Sequence, residues 1–148
     1  MEWWERIYPM DVFPGIEPQM NALAGNGRLR APVRVRDEIE QVGSEGLRGW
    51  AQNNNGIFVP HDEVLQTEAN AIQAAHPELL DADAQHDEAD RYVIALARLQ
   101  GRTVVTYETP AAKKVRARGR KFIPDVCDAL GVECIDLLEV MRREQWTF

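Results

Sequence analysis

Asp87-Glu88-Ala89-Asp90-Arg91-Tyr92-Val93-Ile94-Ala95-Leu96-Ala97, then Arg98 to Gly101, then Thr103-Val104-Val105-Thr106-Tyr107-Glu108, is the stretch that decides the fold. It reads as an acid-headed helix, a glycine stop and a short buried strand that ends in a second acid. Val93, Ile94 and Ala97 recur at the spacing of one helix face. Asp90 precedes Val93 and Ile94 by one helical turn, so it shares their inward face and opens the helix. Glu108 follows the carboxyl end of an apolar strand, where open α/β sheets place their ligands. Two carboxylates brought together are how proteins hold Mg²⁺ or Mn²⁺, cations that prefer oxygen ligands. The same acids have plainer uses. Asp87 with Asp90 matches an N-cap and an acidic first turn, which answer the free N–H groups and the helix dipole. Glu108 suits a turn before Pro110.

The composition sets bounds on the rest. A chain of 148 residues that is 45% hydrophobic makes one domain with a real core. Its net charge of −7 argues against a general nucleic-acid-coating protein and for a soluble, cytoplasmic one. No apolar run approaches the roughly 18 residues that a membrane span needs. The opening Met-Glu-Trp-Trp-Glu-Arg has no apolar signal core, which argues against secretion. Cys127 and Cys134 belong to no Cys/His cluster and read as reduced, half-buried packing residues. His61, His76 and His86 fall at no metal-ligand spacing, so zinc is not expected.

Taken in order, residues 1–8 read as the last turns of a helix with Trp3, Trp4 and Ile7 on its apolar side. A proline-punctuated turn, Tyr8 to Gly15, follows, and its Asp11 reads as a cap or Asx-turn. A helix from Ile16 to Ala24 is closed by Gly25-Asn26-Gly27. Arg28 to Pro32 is a short strand leading into a helix that Pro32 can start. In that helix Val35, Ile39 and Val42 form the stripe, and Glu38 falls inside it while Asp37 and Glu40 point away. An acid on a buried face costs several kcal/mol unless it is paired or bound to metal. Glu38 is therefore a third carboxylate of interest, with a border residue reaching water as its plainer reading.

After Gly43 to Gly46, Leu47, Trp50 and Ala51 start a short helix, and Ile57-Phe58-Val59 is a second strand. Residues 62–76 form a helix with Val64, Leu65, Ala69 and Ile72 inward. Beyond Glu108, six of the nine residues in Lys113-Lys114-Val115-Arg116-Ala117-Arg118-Gly119-Arg120-Lys121 are basic. Lys113, Lys114, Arg116, Arg118, Arg120 and Lys121 in a mobile loop beside an acidic site would grip RNA phosphates, whereas a solvated charge run is the plainer account. Pro124 to Leu130 is a helix stopped by Gly131. Val132 to Ile135 is a last strand, and Leu137 to Arg143 a last helix with Leu137, Leu138 and Met141 inward.

Strands alternating with helices imply a parallel α/β sheet. Together with the acids Glu38, Asp90 and Glu108, the chain resembles a PIN domain, and more narrowly an uncharacterised PIN-like subfamily. The resemblance is carried by Tyr8-Pro9…Asp11-Val12-Phe13-Pro14-Gly15, Ala31-Pro32…Asp37-Glu38-Ile39 and Glu88-Ala89-Asp90…Val93-Ile94-Ala95-Leu96-Ala97. Val105-Thr106…Glu108 and Ile123-Pro124-Asp125-Val126-Cys127…Leu130-Gly131-Val132 extend it over essentially the whole chain. It implies a three-layer α/β/α fold with a mainly parallel sheet. It implies a ribonuclease of bacterial toxin type, with RNA as substrate, a cognate antitoxin and a second copy of the chain as partners, and no membrane. Glu38, Asp90 and Glu108 would be the catalytic ligands of Mg²⁺ or Mn²⁺, converging within roughly 10 Å, with Thr106 as an accessory contact.

The chain departs from the pattern at its start. The first, central strand with its terminal Asp is missing, which makes residues 1–148 a single PIN-like domain that is N-terminally truncated or begun at an internal Met. The strands at Arg28–Ala31 and Thr103–Thr106 would then lack their common neighbour. A catalytically incomplete relative that binds RNA or a protein partner is the alternative. A helix-turn-helix in residues 124–142, turning at Ala129-Leu130-Gly131, is a third reading, opposed by the acids Glu133, Asp136 and Glu139 on its recognition helix.

Overall fold

The computed structural model describes residues 3–79, 89–117 and 119–148, with only the backbone of Trp3 and Glu5. The elements run α1 (Ile16–Gly25), β1 (Ala31–Pro32), α2 (Val33–Val42), α3 (Glu45–Asn53), β2 (Phe58–Val59) and α4 (Glu63–Ala75). They continue with α5 (Asp90–Gln100), β3 (Val104–Val105), α6 (Ile123–Leu130), β4 (Cys134–Ile135) and α7 (Leu137–Arg143). A π-helical turn at Trp3–Ile7 precedes them. Asp87, read above as a cap, and His86 lie outside the described residues.

Local chemistry sets the helix ends. The Ser44 hydroxyl accepts the Leu47 N–H at 3.3 Å and opens α3, and Asp62 Oδ1 accepts the Leu65 N–H at 2.7 Å and opens α4. Gly101 and Gly131 close α5 and α6 in the left-handed conformation, at φ 61° and 67°, where a Cβ would be strained. Pro32 sits at the N-cap of α2 and donates nothing there, where no helical partner exists for an N–H.

The architecture is mixed α/β with short parallel strands. β1 pairs with β2 (Ala31 opposite Phe58, Pro32 opposite Val59), and β3 pairs with β4 (Val104 opposite Cys134, Val105 opposite Ile135). These are two separate two-stranded sheets among the described residues, rather than one continuous sheet. Strands of two residues bond to a single neighbour, so helix burial has to supply most of the stabilisation. Between α6 and α7 the chain runs through β4 instead of turning directly from one helix to the next.

The chain divides into two compact units, Met1–Pro60 with Met141–Phe148, and His61–Val140. In the first, Trp4 tilts against Trp50 at 5.7 Å, and the Trp50 indole N–H donates to Asn21 Oδ1 at 2.8 Å. Ile16, Met20, Ile39, Leu47, Ala51, Ile57 and Phe58 are also buried in it. Its last residues are tied back by Arg28, which donates to both carboxylate oxygens of Glu144, at 2.6 and 2.5 Å. In the second unit α5 is the centre, touching α4, α6 and β3. Tyr92, Ile94, Ala95, Leu96 and Ala97 are all buried. The Tyr92 hydroxyl accepts from Arg91 Nη2 at 3.2 Å, which satisfies its polar end at depth.

Several face assignments made from spacing need correction. Val42 is 65% exposed, because α2 ends there and Gly43 turns the chain into extended backbone. Val64 and Leu138 sit near helix starts and are 62% and 39% exposed, although Leu65, Ala69 and Ile72 of α4 and Leu137 and Met141 of α7 are buried. Ile7 is 40% exposed, whereas Trp4 is buried. On α5 the buried surface is wider than the Val93–Ile94–Ala97 stripe, and Val93 itself is half-buried. A helix packed on several sides buries residues all round rather than along one line.

This contrast is measurable. Ile94→Ala should lower the unfolding free energy by about 2–5 kcal/mol, the usual cost of emptying a fully buried aliphatic site. Val64→Ala should stay within about 0.5 kcal/mol, as exposed substitutions do. Urea titration followed by circular dichroism reads both.

Candidate functional site

In the His61–Val140 unit the chemistry gathers where β3 runs into the basic loop. The Thr106 hydroxyl accepts the Glu108 N–H at 3.1 Å, a tight local turn that leaves strand β3 and sets the Glu108 backbone. Glu108 Oε2 then accepts the N–H of Ile123, the first residue of α6, at 2.8 Å. In the first turn of the same helix, Asp125 accepts the Phe122 N–H at 2.9 Å and the Ala111 N–H at 3.1 and 3.0 Å through its two oxygens. Two carboxylates thus answer the free N–H groups and positive dipole end of α6. They also pin both ends of residues 109–122. Thr106, expected as an accessory contact of the site, here positions the Glu108 backbone.

Spacing and face position do not single out Asp125. Its signal lies instead in Ile123-Pro124-Asp125, a proline in the first turn followed by an acid at the third position, which is a capping pattern. The second bond, back to Ala111, spans fourteen positions and has no local signature.

The basic loop is partly spent on the fold. Lys114 Nζ lies 3.4 Å from the Phe122 ring centroid and the Arg120 guanidinium 5.3 Å from it. Lys121 Nζ is 3.9 Å from Glu78 Oε2 and 3.3 Å from His76 Nδ1, while its N–H donates to the Glu78 carbonyl at 2.9 Å. Lys113 and Arg116 are exposed, and between them Val115 is fully so. Arg118 lies outside the described residues. The five described basic residues thus divide by environment: Lys114, Arg120 and Lys121 stack or pair against their own unit, and Lys113 and Arg116 face solvent.

Asp90 is the first residue of α5 and half-buried; Ala89 stands at the N-cap position, with no side-chain cap. Glu38, half-buried on α2, belongs to the other compact unit. Asp37 and Glu40 on α2 lie 3.7 and 3.6 Å from Arg36. Among the described residues no group of three or more His, Cys, Asp or Glu side chains is gathered to hold a metal ion.

Two thiols lie on the elements that follow this turn. Cys127 on α6 is buried and Cys134 on β4 half-buried, and both are free. Interaction with Cys134, with burial adding to it, pushes the Cys127 thiol above its usual range. Interaction with Cys127 lowers the Cys134 pKa, opposed by burial and by the charge of Glu108. The packing role expected of both cysteines fits Cys127.

The family model that matches the chain spans residues 1–148 and is described as Domain of unknown function (DUF4411). The chain belongs to this family. The curated proteins and the solved structures give no match to it. No helix among the described residues of this DUF4411 chain is long and apolar enough to cross a membrane.

The capping carboxylates carry a direct prediction. Asp125→Ala should cost about 1–3 kcal/mol by stranding two backbone N–H groups. The Ala111 and Phe122 amides should exchange hydrogen faster than in the unsubstituted chain, whereas the Gly101 amide at the end of α5 should not change. Amide exchange read by NMR tests this.

Proposed function

We propose that the chain is a PIN-like ribonuclease of bacterial toxin type, acting on RNA with Mg²⁺ or Mn²⁺ and held in check by an antitoxin protein. The three-layer α/β/α arrangement of that family is part of the same proposal. The observation that supports it best is the turn after β3. One short segment there carries a carboxylate just past the carboxyl end of a parallel strand and then the basic loop. An acid after a strand end, followed in the chain by solvent-facing Lys113 and Arg116, supplies the groups that a phosphodiester site needs, charge to hold the backbone and an acid for the scissile bond.

Glu108 already gives one oxygen to the Ile123 N–H, and no group of three ligating side chains forms among the described residues. Glu38, Asp90 and Glu108 remain the proposed acids. The engagement of Glu108 by α6 favours a second reading in which the chain is a catalytically incomplete relative that binds RNA or a protein partner.

Incubating the chain with single-stranded RNA, with Mg²⁺ or Mn²⁺ or with a chelator, separates the two. Metal-dependent cleavage that falls at least tenfold in Asp90→Asn supports the ribonuclease. Binding without cleavage supports the incomplete relative. Absence of both overturns the proposal. In either binding outcome Lys113→Ala with Arg116→Ala should flatten the slope of log K against log salt by about 1.4, which is ~0.7 for each single-strand phosphate left without its cation.

A further inference from the structure

We propose that Asn55–Gly56 is a self-modification site, where the Asn55 side-chain amide deamidates through a succinimide while the Arg36 guanidinium stabilises the charge developing on Oδ1. The two residues open a 3₁₀ turn, Asn55–Ile57, between α3 and β2, and both are exposed. Arg36, on α2, donates from Nη1 to Asn55 Oδ1 at 3.2 Å, and Arg30 donates from Nη1 to the Gly56 carbonyl at 2.8 Å. All four residues belong to the Met1–Pro60 unit. Two cations therefore flank the one peptide nitrogen that can close the ring. That nitrogen is available. The turn is closed by the Ile57 N–H on Asn54 O at 3.0 Å and the Phe58 N–H on Asn55 O, whereas the Gly56 N–H makes no hydrogen bond among the described residues. A Cβ at position 56 would meet nothing within 4 Å, so neighbouring atoms leave the ring room to form.

The chain has a second Asn–Gly pair, and its geometry differs. At Asn26–Gly27 the Gly27 N–H donates to Ala24 O at 3.1 Å, which engages the attacking nitrogen, and no described residue donates to Asn26 Oδ1. Arg36 at Asn55 is placed as an oxyanion donor is, on the oxygen where negative charge appears. Hydroxide takes the Gly56 amide proton, and the two guanidinium groups favour the resulting anion. The nitrogen attacks Asn55 Cγ, a C–N bond forms, and the charge passes to Oδ1 against Arg36. The Cγ–Nδ2 bond then breaks, and Nδ2 leaves as ammonia with a proton from water, which restores the hydroxide. Water opens the succinimide at either carbonyl, giving aspartate or isoaspartate at 55. One amide and one water thus become one acid and one ammonia, with no change of oxidation state. Either product puts a carboxylate beside Arg36. Isoaspartate also adds a backbone methylene just before the buried Ile57 and before Phe58, which pairs with Ala31 of β1.

The test incubates the full folded chain in mildly alkaline buffer, digests samples with trypsin and follows each amide by mass spectrometry. Asn26 and Asn55 fall on separate peptides, 7–28 and 49–91, and an isoaspartyl methyltransferase labels the rearranged product. Asn55 should convert about tenfold faster than Asn26, a modest share of what an enzyme's buried oxyanion donor gives. In urea, where both geometries are lost, the two rates should draw level. Arg36→Met should bring the Asn55 rate in the folded chain down towards its rate in urea, and Arg36→Lys, which keeps a cation, should slow it less. Asn26 converting as fast as Asn55 in the folded chain would overturn the proposal. So would a ratio that persists unchanged in urea, or an Arg36→Met rate equal to that of the wild type. If Arg36→Met folds poorly, the comparison of two sites within one wild-type molecule decides.

Discussion

The burial of α5 is the constraint that the His61–Val140 unit obeys. Two-residue strands offer too few ladder hydrogen bonds to hold a sheet together, so apolar area taken out of water has to do so. α5 meets α4, α6 and β3, and its run Tyr92 to Ala97 is inside apart from the half-buried Val93. Alanine at 95 and 97 lets neighbours come close, while Ile94 and Leu96 fill the space between them. Each strand of this unit is an adjunct to that packing. Val104 is buried, but its partner in the ladder is a single other strand.

Because α5 is fixed, the turn after β3 is fixed, and with it the acid that chemistry would use. Glu108 is placed by Thr106 and by the backbone of α6, and Asp125 draws Ala111 and Phe122 onto the same helix end. The helix dipole thus does double duty. It is satisfied by carboxylates, and in return it orders the root of a basic loop that otherwise has nothing apolar to bury except Val115 and Ala117. Phe122 extends this by offering a ring to Lys114 and Arg120. On the proposed function, a loop held at its root would need little further ordering to meet an RNA backbone.

The left-handed Gly131 shortens the return from α6 to β4, and the Val132 N–H bonds to the Cys127 carbonyl at 2.9 Å as the chain turns back.

Read alone, the sequence determined the order of elements and most of their ends. Gly25, Ser44, Asp62, Gly101, Gly131 and the prolines act within three or four residues of themselves, and caps and turns are local physics. Alternation of strand and helix was local too, and with it the parallel pairing of short strands. The tertiary structure decided what spacing cannot carry. Val42, Val64 and Leu138 sit in good apolar registers yet face outward, since a face is inside only if another element arrives to cover it. Glu108 past a strand end and Asp125 in a capping pattern are legible in the sequence, but they reach Ile123 and Ala111 only because α6 folds back onto the strand end. Their partners, at 123 and 111, are chosen by packing between elements far apart in the chain, and no local pattern encodes a contact of that range.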